Sequence, residues 1–233
     1  MRSTHLLATL IALVLVLFPI SLFAADPRLT VVVVVDGMTQ ENLTKLRPYW
    51  SAGGLRTMSE EAFQTTVAFP HMVNGGQETT ATLMTGTTPS HHGVMSDHAF
   101  NRTYRTTNYT LFDDQSSGIG TSLQLSPRAI ATSTITDEWR IQQGTQAKIY
   151  AIGLQPQATI LMAGHAANAC CWLDANHLKW ATTSFYSEGL PAAADAMNMS
   201  GRINTLSEKT WTPRLDISMY TAPSQDERRR LFN

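Results

Sequence analysis

Leu29 to Val35 is an almost unbroken apolar run, mostly β-branched, that stops at Asp36-Gly37. A run this short and this apolar predicts a strand buried on both faces, as in a parallel sheet. Thr39 to Trp50 then carries the spacing of an amphipathic helix, with Thr39 placed to cap it and Gly53-Gly54 to end it. Strand, acid and helix in that order predict the opening of an α/β unit. Ala62 to Phe69 is a second expected strand, and Pro70 to Gly76 an expected loop. Thr79 to Thr85 is helix-compatible. His98 to Ser126 is polar and turn-rich, an expected irregular insertion. Arg128 to Gln142 predicts a helix with Ser126 as its cap and Pro127 in its first position. Further strands are expected over Lys148 to Leu154 and Thr159 to Ala163. A β-segment is expected over Trp180 to Tyr186, and a short helix over Pro191 to Met199. From Ser200 onward no strong element stands out. So few strands, with no closing element, predict part of a larger α/β fold.

Composition narrows the setting. The chain has 233 residues, 43% of them hydrophobic, enough for one domain with a core. Charged residues make up 15% and the net charge is -1. No basic patch stands out, the Arg228-Arg229-Arg230 run reading as a solvated face, so no nucleic-acid partner is expected.

The N-terminus has its own pattern. Arg2 and His5 precede an apolar run from Leu6 to Phe18, followed by Pro19 and a small-residue ending at Ala24-Ala25. This pattern predicts a secretory signal peptide over residues 1–25 and a mature portion over 26–233, periplasmic or secreted. Leu22 and Phe23 make the cleavage site imperfect, and an uncleaved anchor is the alternative. Membrane contact is expected only through this segment. Export permits disulfides, but Cys170 and Cys171 are neighbours in the chain. Adjacent cysteines bridge only with backbone strain, so both read as buried small hydrophobes.

Asp36 is the first candidate for chemistry. An acid at the C-terminal end of a buried parallel strand sits where open α/β sheets bind ligands. From position alone it is equally a hard oxygen ligand for a metal or a cap for the following helix.

Four blocks extend the reading. They are Val31-Val-Val-Val-Val-Asp36-Gly37-Met38, Thr85-Gly-Thr-Thr-Pro-Ser-His-His-Gly-Val94, Gly120-Thr-Ser-Leu-Gln-Leu-Ser-Pro-Arg128 with Ser133-Thr-Ile-Thr-Asp-Glu138, and Ala163-Gly-His-Ala-Ala-Asn-Ala-Cys-Cys-Trp-Leu-Asp174. Together they resemble the N-terminal part of the alkaline phosphatase superfamily, in the branch of phosphate-irrepressible alkaline phosphatases and type I phosphodiesterases / nucleotide pyrophosphatases. The resemblance implies a three-layer α/β/α sandwich with a mostly parallel central sheet, here incomplete. It implies two zinc ions, with Asp36 at the position of a metal-binding aspartate. It implies a threonine nucleophile and a small phosphate ester as substrate.

The same resemblance exposes departures. The spacing to Thr85-Gly86 puts Gly76, which has no side chain, at the nucleophile's place. Thr79 and Thr80 are the nearby hydroxyls able to substitute, though both also fit a helix start. A phosphate-contacting asparagine falls on Asp97, whose ionised carboxylate would repel a phosphoryl oxygen. A Lys and Arg pair falls on Gln155 and Gln157, which donate hydrogen bonds but carry no charge. The remaining metal ligands of the family come from the second half of its fold. The chain therefore reads as an exported metal-dependent phosphoesterase family member, shortened and with a degenerate site. A catalytically inactive binding protein, or a non-functional fragment of the same fold, is the alternative.

Overall fold

The computed structural model describes residues 28–72, 76–103, 105–210 and 212. The expected signal segment lies outside the described residues. The chain divides into two compact units, Met1–Thr66 and Val67–Asn233.

In the first unit, helix α1 (Gln40–Leu46) forms because Thr39 Oγ1 accepts the Asn42 N–H at 3.1 Å, and Glu41 and Lys45 pair one turn apart at 2.5 Å. A 3-10 turn over Arg47–Tyr49 follows, with Pro48 in its first turn. A second helix, α2 (Leu55–Glu61), starts directly after Gly54, where only a helix end was expected. The strand expected over Leu29 to Val35 does not form. The segment is in no sheet, and Val31 and Val33 are each 69% exposed. The run has strand composition, but a strand also needs a neighbour for its hydrogen-bond ladder, and none among the described residues pairs with it. The strand expected over Ala62 to Phe69 is likewise in no sheet.

The second unit holds the core. Helix α3 (Gln77–Thr85) ends at Gly86, and the short α4 (Pro89–His92) ends at Gly93. The stretch expected to be irregular contains a hairpin, β1 (His98–Asn101) against β2 (Thr106–Tyr109). A four-stranded mixed sheet follows, in the order β3 (Gly118–Ile119), β6 (Lys179–Thr183), β5 (Ala169–Asp174), β4 (Tyr150–Gly153). The β4 and β5 strands are parallel, and the pairings of β5 with β6 and of β3 with β6 are antiparallel. The α/β class of the sequence reading stands.

Three helical expectations change. Ser126 caps only a 3-10 turn, Pro127–Ala129. The main helix of that region, α5 (Ile135–Gln143), begins later, because Thr134 and Asp137 build a complete capping box. The run expected as a strand over Thr159 to Ala163 is the second half of α6 (Pro156–Ala163). Proline in the first helical position and burial of Ile160, Leu161 and Ala163 explain why an apolar run became a helix. Past Ser200, where no element was expected, α8 (Arg202–Ser207) follows α7 (Ala192–Met199).

Helix α6 is the crossover that makes the β4 and β5 pairing parallel. Its buried side chains join Ala81, Val94, Leu111, Leu125 and Trp172 in one core. Cys170 and Cys171 lie on β5 as free, buried thiols, and burial raises the pKa of both. Among the described residues no helix is long and apolar enough to cross a membrane.

Candidate active site

Four of the positions singled out above meet at the N-terminus of α3. Gly76 is the residue before the helix, and the unpaired N–H groups of a first turn form a natural anion cradle. Here the protein fills that cradle itself. The Gly76 N–H donates to Glu78 Oε1 at 3.2 Å, and the Gln77 N–H donates to Asp97 Oδ1 at 2.8 Å.

Glu78 is 3% exposed and was not singled out by the sequence. Its only signal there was an acid in a first helical turn, a common surface choice. The two carboxylates close over Gly76. A Cβ on that residue would lie 2.6 Å from Glu78 Oε2 and 2.7 Å from Asp97 Oδ1. The backbone imposes no such limit, because Gly76 has φ -102, open to any residue. These two carboxylates occupy the space beside position 76, and a side chain there requires them to move.

Gln157 fixes Asp97 from behind. Its amide is buried, Nε2 donates to the Asp97 carbonyl at 2.8 Å, and Oε1 accepts the Leu111 N–H at 3.0 Å. Both ends of the amide are thus engaged with backbone. Gln155 is exposed and precedes α6, with its carbonyl accepting from Thr159 Oγ1 at 2.7 Å.

Thr79 and Thr80 lie in the first turn of α3, both half-buried. Neither hydroxyl caps the helix. Thr79 Oγ1 is buried and has no hydrogen-bond partner among the described residues. A nucleophilic hydroxyl needs a base or a metal to take its proton, and no hydrogen bond supplies one to Thr79.

Asp36 lies in the first unit, at the exposed turn between the extended run and α1. Its Oδ1 accepts the Gly37 N–H at 2.8 Å. Thr39, not Asp36, caps the helix, so that alternative role is taken. Among the described residues no three His, Cys, Asp or Glu side chains gather as a metal-binding group. The described donor set does not fit a two-zinc centre.

The histidines hold structural places. His92 is fully buried, its Nδ1 accepts the Val94 N–H at 3.1 Å, and burial lowers its pKa. His177 pairs with Asp174 at 3.0 Å.

Residues 30–231 match the sequence profile of the type I phosphodiesterase / nucleotide pyrophosphatase family. The chain belongs to this family. Its relatives include alkaline phosphatase PafA of Elizabethkingia meningoseptica, 26% identical over 86% of this chain and 38% of that protein. A protein of Myroides odoratus named calcium-transporting ATPase is 26% identical over 86% of this chain and 37% of its own length. Alkaline phosphatase PhoV of Synechococcus elongatus is 24% identical over 87% of this chain and 38% of its own length.

The crystal structure of wild-type PafA matches 64% of this chain with a TM-score of 0.59 and 27% identity, covering 30% of that chain. A substituted variant of PafA matches 83% of this chain with a TM-score of 0.76 and 25% identity, covering 38% of that chain. The chain thus shares the α/β fold of this phosphodiesterase family in the alkaline phosphatase superfamily. It spans less than two fifths of the length of these curated relatives.

The site geometry makes Gln157 a structural residue. Gln157→Ala leaves the Leu111 N–H without a partner and the Asp97 carbonyl with only the Thr110 N–H, and is expected to destabilise the chain by about 1–3 kcal/mol. Urea unfolding measures the loss.

Proposed function

We propose that the chain is an exported phosphoesterase family protein with a degenerate phosphate pocket, one that does not turn over phosphomonoester dianions. The carrying observation is the pair of carboxylates at Gly76. Glu78 and Asp97 take the two N–H groups that a phosphoryl oxygen would use, and they occupy the space beside position 76. A phosphate dianion entering here would have to displace two carboxylates from a helix N-terminus, against charge repulsion. The substitutes for a cationic pair add to this. Gln157 has both ends of its amide engaged by backbone, and Gln155 carries no charge. Charge-assisted contacts to a phosphoryl group are about twice as strong as neutral ones, so their loss is not made good by glutamine.

Asp36 is proposed as a metal ligand on the strength of its position and its exposed carboxylate. Zinc dependence would belong to a complete ligand set, which the described residues do not assemble. The uncharged Gln155 and Gln157 pair suits a less charged ester better than a dianion, so a binding role without turnover accompanies the reading.

Turnover of an aryl phosphomonoester tests the proposal. With zinc supplied, the protein is expected to hydrolyse it no faster than background, and Asp36→Ala to leave that rate unchanged. Zinc-dependent hydrolysis that Asp36→Ala abolishes would overturn the reading.

Export has its own test. The protein recovered from outside the cytoplasm is expected to begin at or near Asp26, as N-terminal sequencing would show. Retention of residues 1–25 on membrane-bound protein would favour an anchor instead.

A further inference from the structure

A second buried acid lies apart from the Gly76 pocket. Asp137 stands in the first turn of α5 and is 6% exposed. Its Oδ2 accepts the Thr134 N–H at 3.0 Å and the Thr134 hydroxyl at 2.9 Å. Its Oδ1 accepts the N–H groups of His165 at 2.6 Å and Ala166 at 3.0 Å. The His165 ring then closes on the same carboxylate, with Nδ1 2.8 Å from Oδ2. Ile130 and His165 line one cavity. A carboxylate only accepts, so this contact needs a proton on Nδ1, and it becomes an ion pair when the ring is doubly protonated.

Two segments therefore converge on one carboxylate: the start of α5 and the Gly164–Ala166 link after α6. Gly164 makes the approach possible. It has φ +68, and a Cβ there would lie 2.7 Å from Asp137 Oδ1 and from Thr136 Oγ1. Neighbouring bonds extend the junction into the sheet. Arg140 on α5 donates to the Ala166 carbonyl at 3.1 Å, the Ala147 carbonyl at 2.6 Å and Asn168 Oδ1 at 2.5 Å. Asn168 in turn accepts from the Ile149 N–H at 2.9 Å, at the start of the parallel β4 and β5 pairing.

We propose that Asp137 and His165 form a protonation-dependent clasp, which fastens the α6–β5 link to the capped start of α5 more firmly in mild acid than in alkali.

The other charged or titratable groups around the ring do not share this titration. Arg140 keeps its charge throughout and is satisfied by carbonyl and amide oxygens. Arg128, in the Pro127 turn, pairs with Asp113 at 2.5 Å, and Glu138 of α5 accepts from the Ser133 hydroxyl. The Tyr186 hydroxyl donates to the Gly164 carbonyl at 2.7 Å, and burial drives its pKa well up, so it stays neutral. The Cys170 thiol beside Tyr186 is held protonated by burial in the same way.

Burial alone would push the Asp137 carboxyl up, but the His165 and Thr134 hydrogen bonds outweigh it and hold it at about 2. The hydrogen bond to Asp137 raises the His165 imidazole above its ordinary 6.5, against burial. A raised imidazole contributes stability that is complete below the unfolded value of 6.5 and is lost as pH climbs through the higher folded value. A depressed carboxyl contributes stability present above 3.8 and lost as pH falls toward about 2. Both contributions coexist between pH 3.8 and 6.5.

Thermal unfolding of the full chain from pH 5 to 9, alongside His165→Gln, tests the clasp. The parent's melting temperature is expected to fall by several degrees as pH rises past 6.5. His165→Gln should melt lower at pH 5.5 and lose most of that slope. The same slope in both proteins would overturn the proposal. If the variant does not fold, the parent's own His165 ring resonance decides. Assigned through space to Ile130, it must titrate above 6.5; a midpoint at or below that value would also overturn the clasp.

Discussion

Both ends of the Gln157 amide are bonded to backbone, one to the Leu111 N–H and one to the Asp97 carbonyl, and the form of the pocket follows from that. Held this way, Asp97 presents its carboxylate to the Gln77 N–H at the start of α3. Glu78 takes the neighbouring N–H from within the helix. A helix N-terminus favours negative charge, and two carboxylates supply it where a bound phosphate would otherwise be drawn. The glycine at position 76 is the steric counterpart, since the space a side chain would take belongs to those oxygens.

Membership of the phosphodiesterase family and likeness to PafA establish the scaffold on which this pocket sits. Function on a shared scaffold is decided by the residues at the site. Here the substitutions act in concert. On the proposed reading, Gly76 leaves no attacking group and Asp97 opposes an anion, while Gln157 is bonded to backbone at both ends. The matched portion is 37% to 38% of the curated relatives' length, so activity of a whole phosphoesterase is a proposal for the complete fold.

Much of this was legible in the sequence, and the failures have physical causes. The motif blocks carry the resemblance to the family, and Gly76, Asp97, Gln155 and Gln157 stand out only as departures from that family's pattern. Glu78 could not, because nothing in a first-turn glutamate marks it as turning back on its own helix. The Asp137–His165 pair was equally hidden, as its members are 28 positions apart and come from different elements. Thr159 to Ala163 misled because short apolar runs suit a strand or a buried helix equally, and Pro156 decided for the helix. Leu29 to Val35 misled for the opposite reason. Its residues suit a strand, but a strand exists only where a neighbour completes the ladder.

The central claim is that the carboxylates of Glu78 and Asp97 own the space at position 76. A double-mutant cycle reads this directly: the stability cost of Gly76→Ala is measured by urea unfolding in the parent and in a Glu78→Ala, Asp97→Ala background. The account predicts a clear loss in the parent and a much smaller one where the acids are gone. Equal costs in the two backgrounds would contradict it.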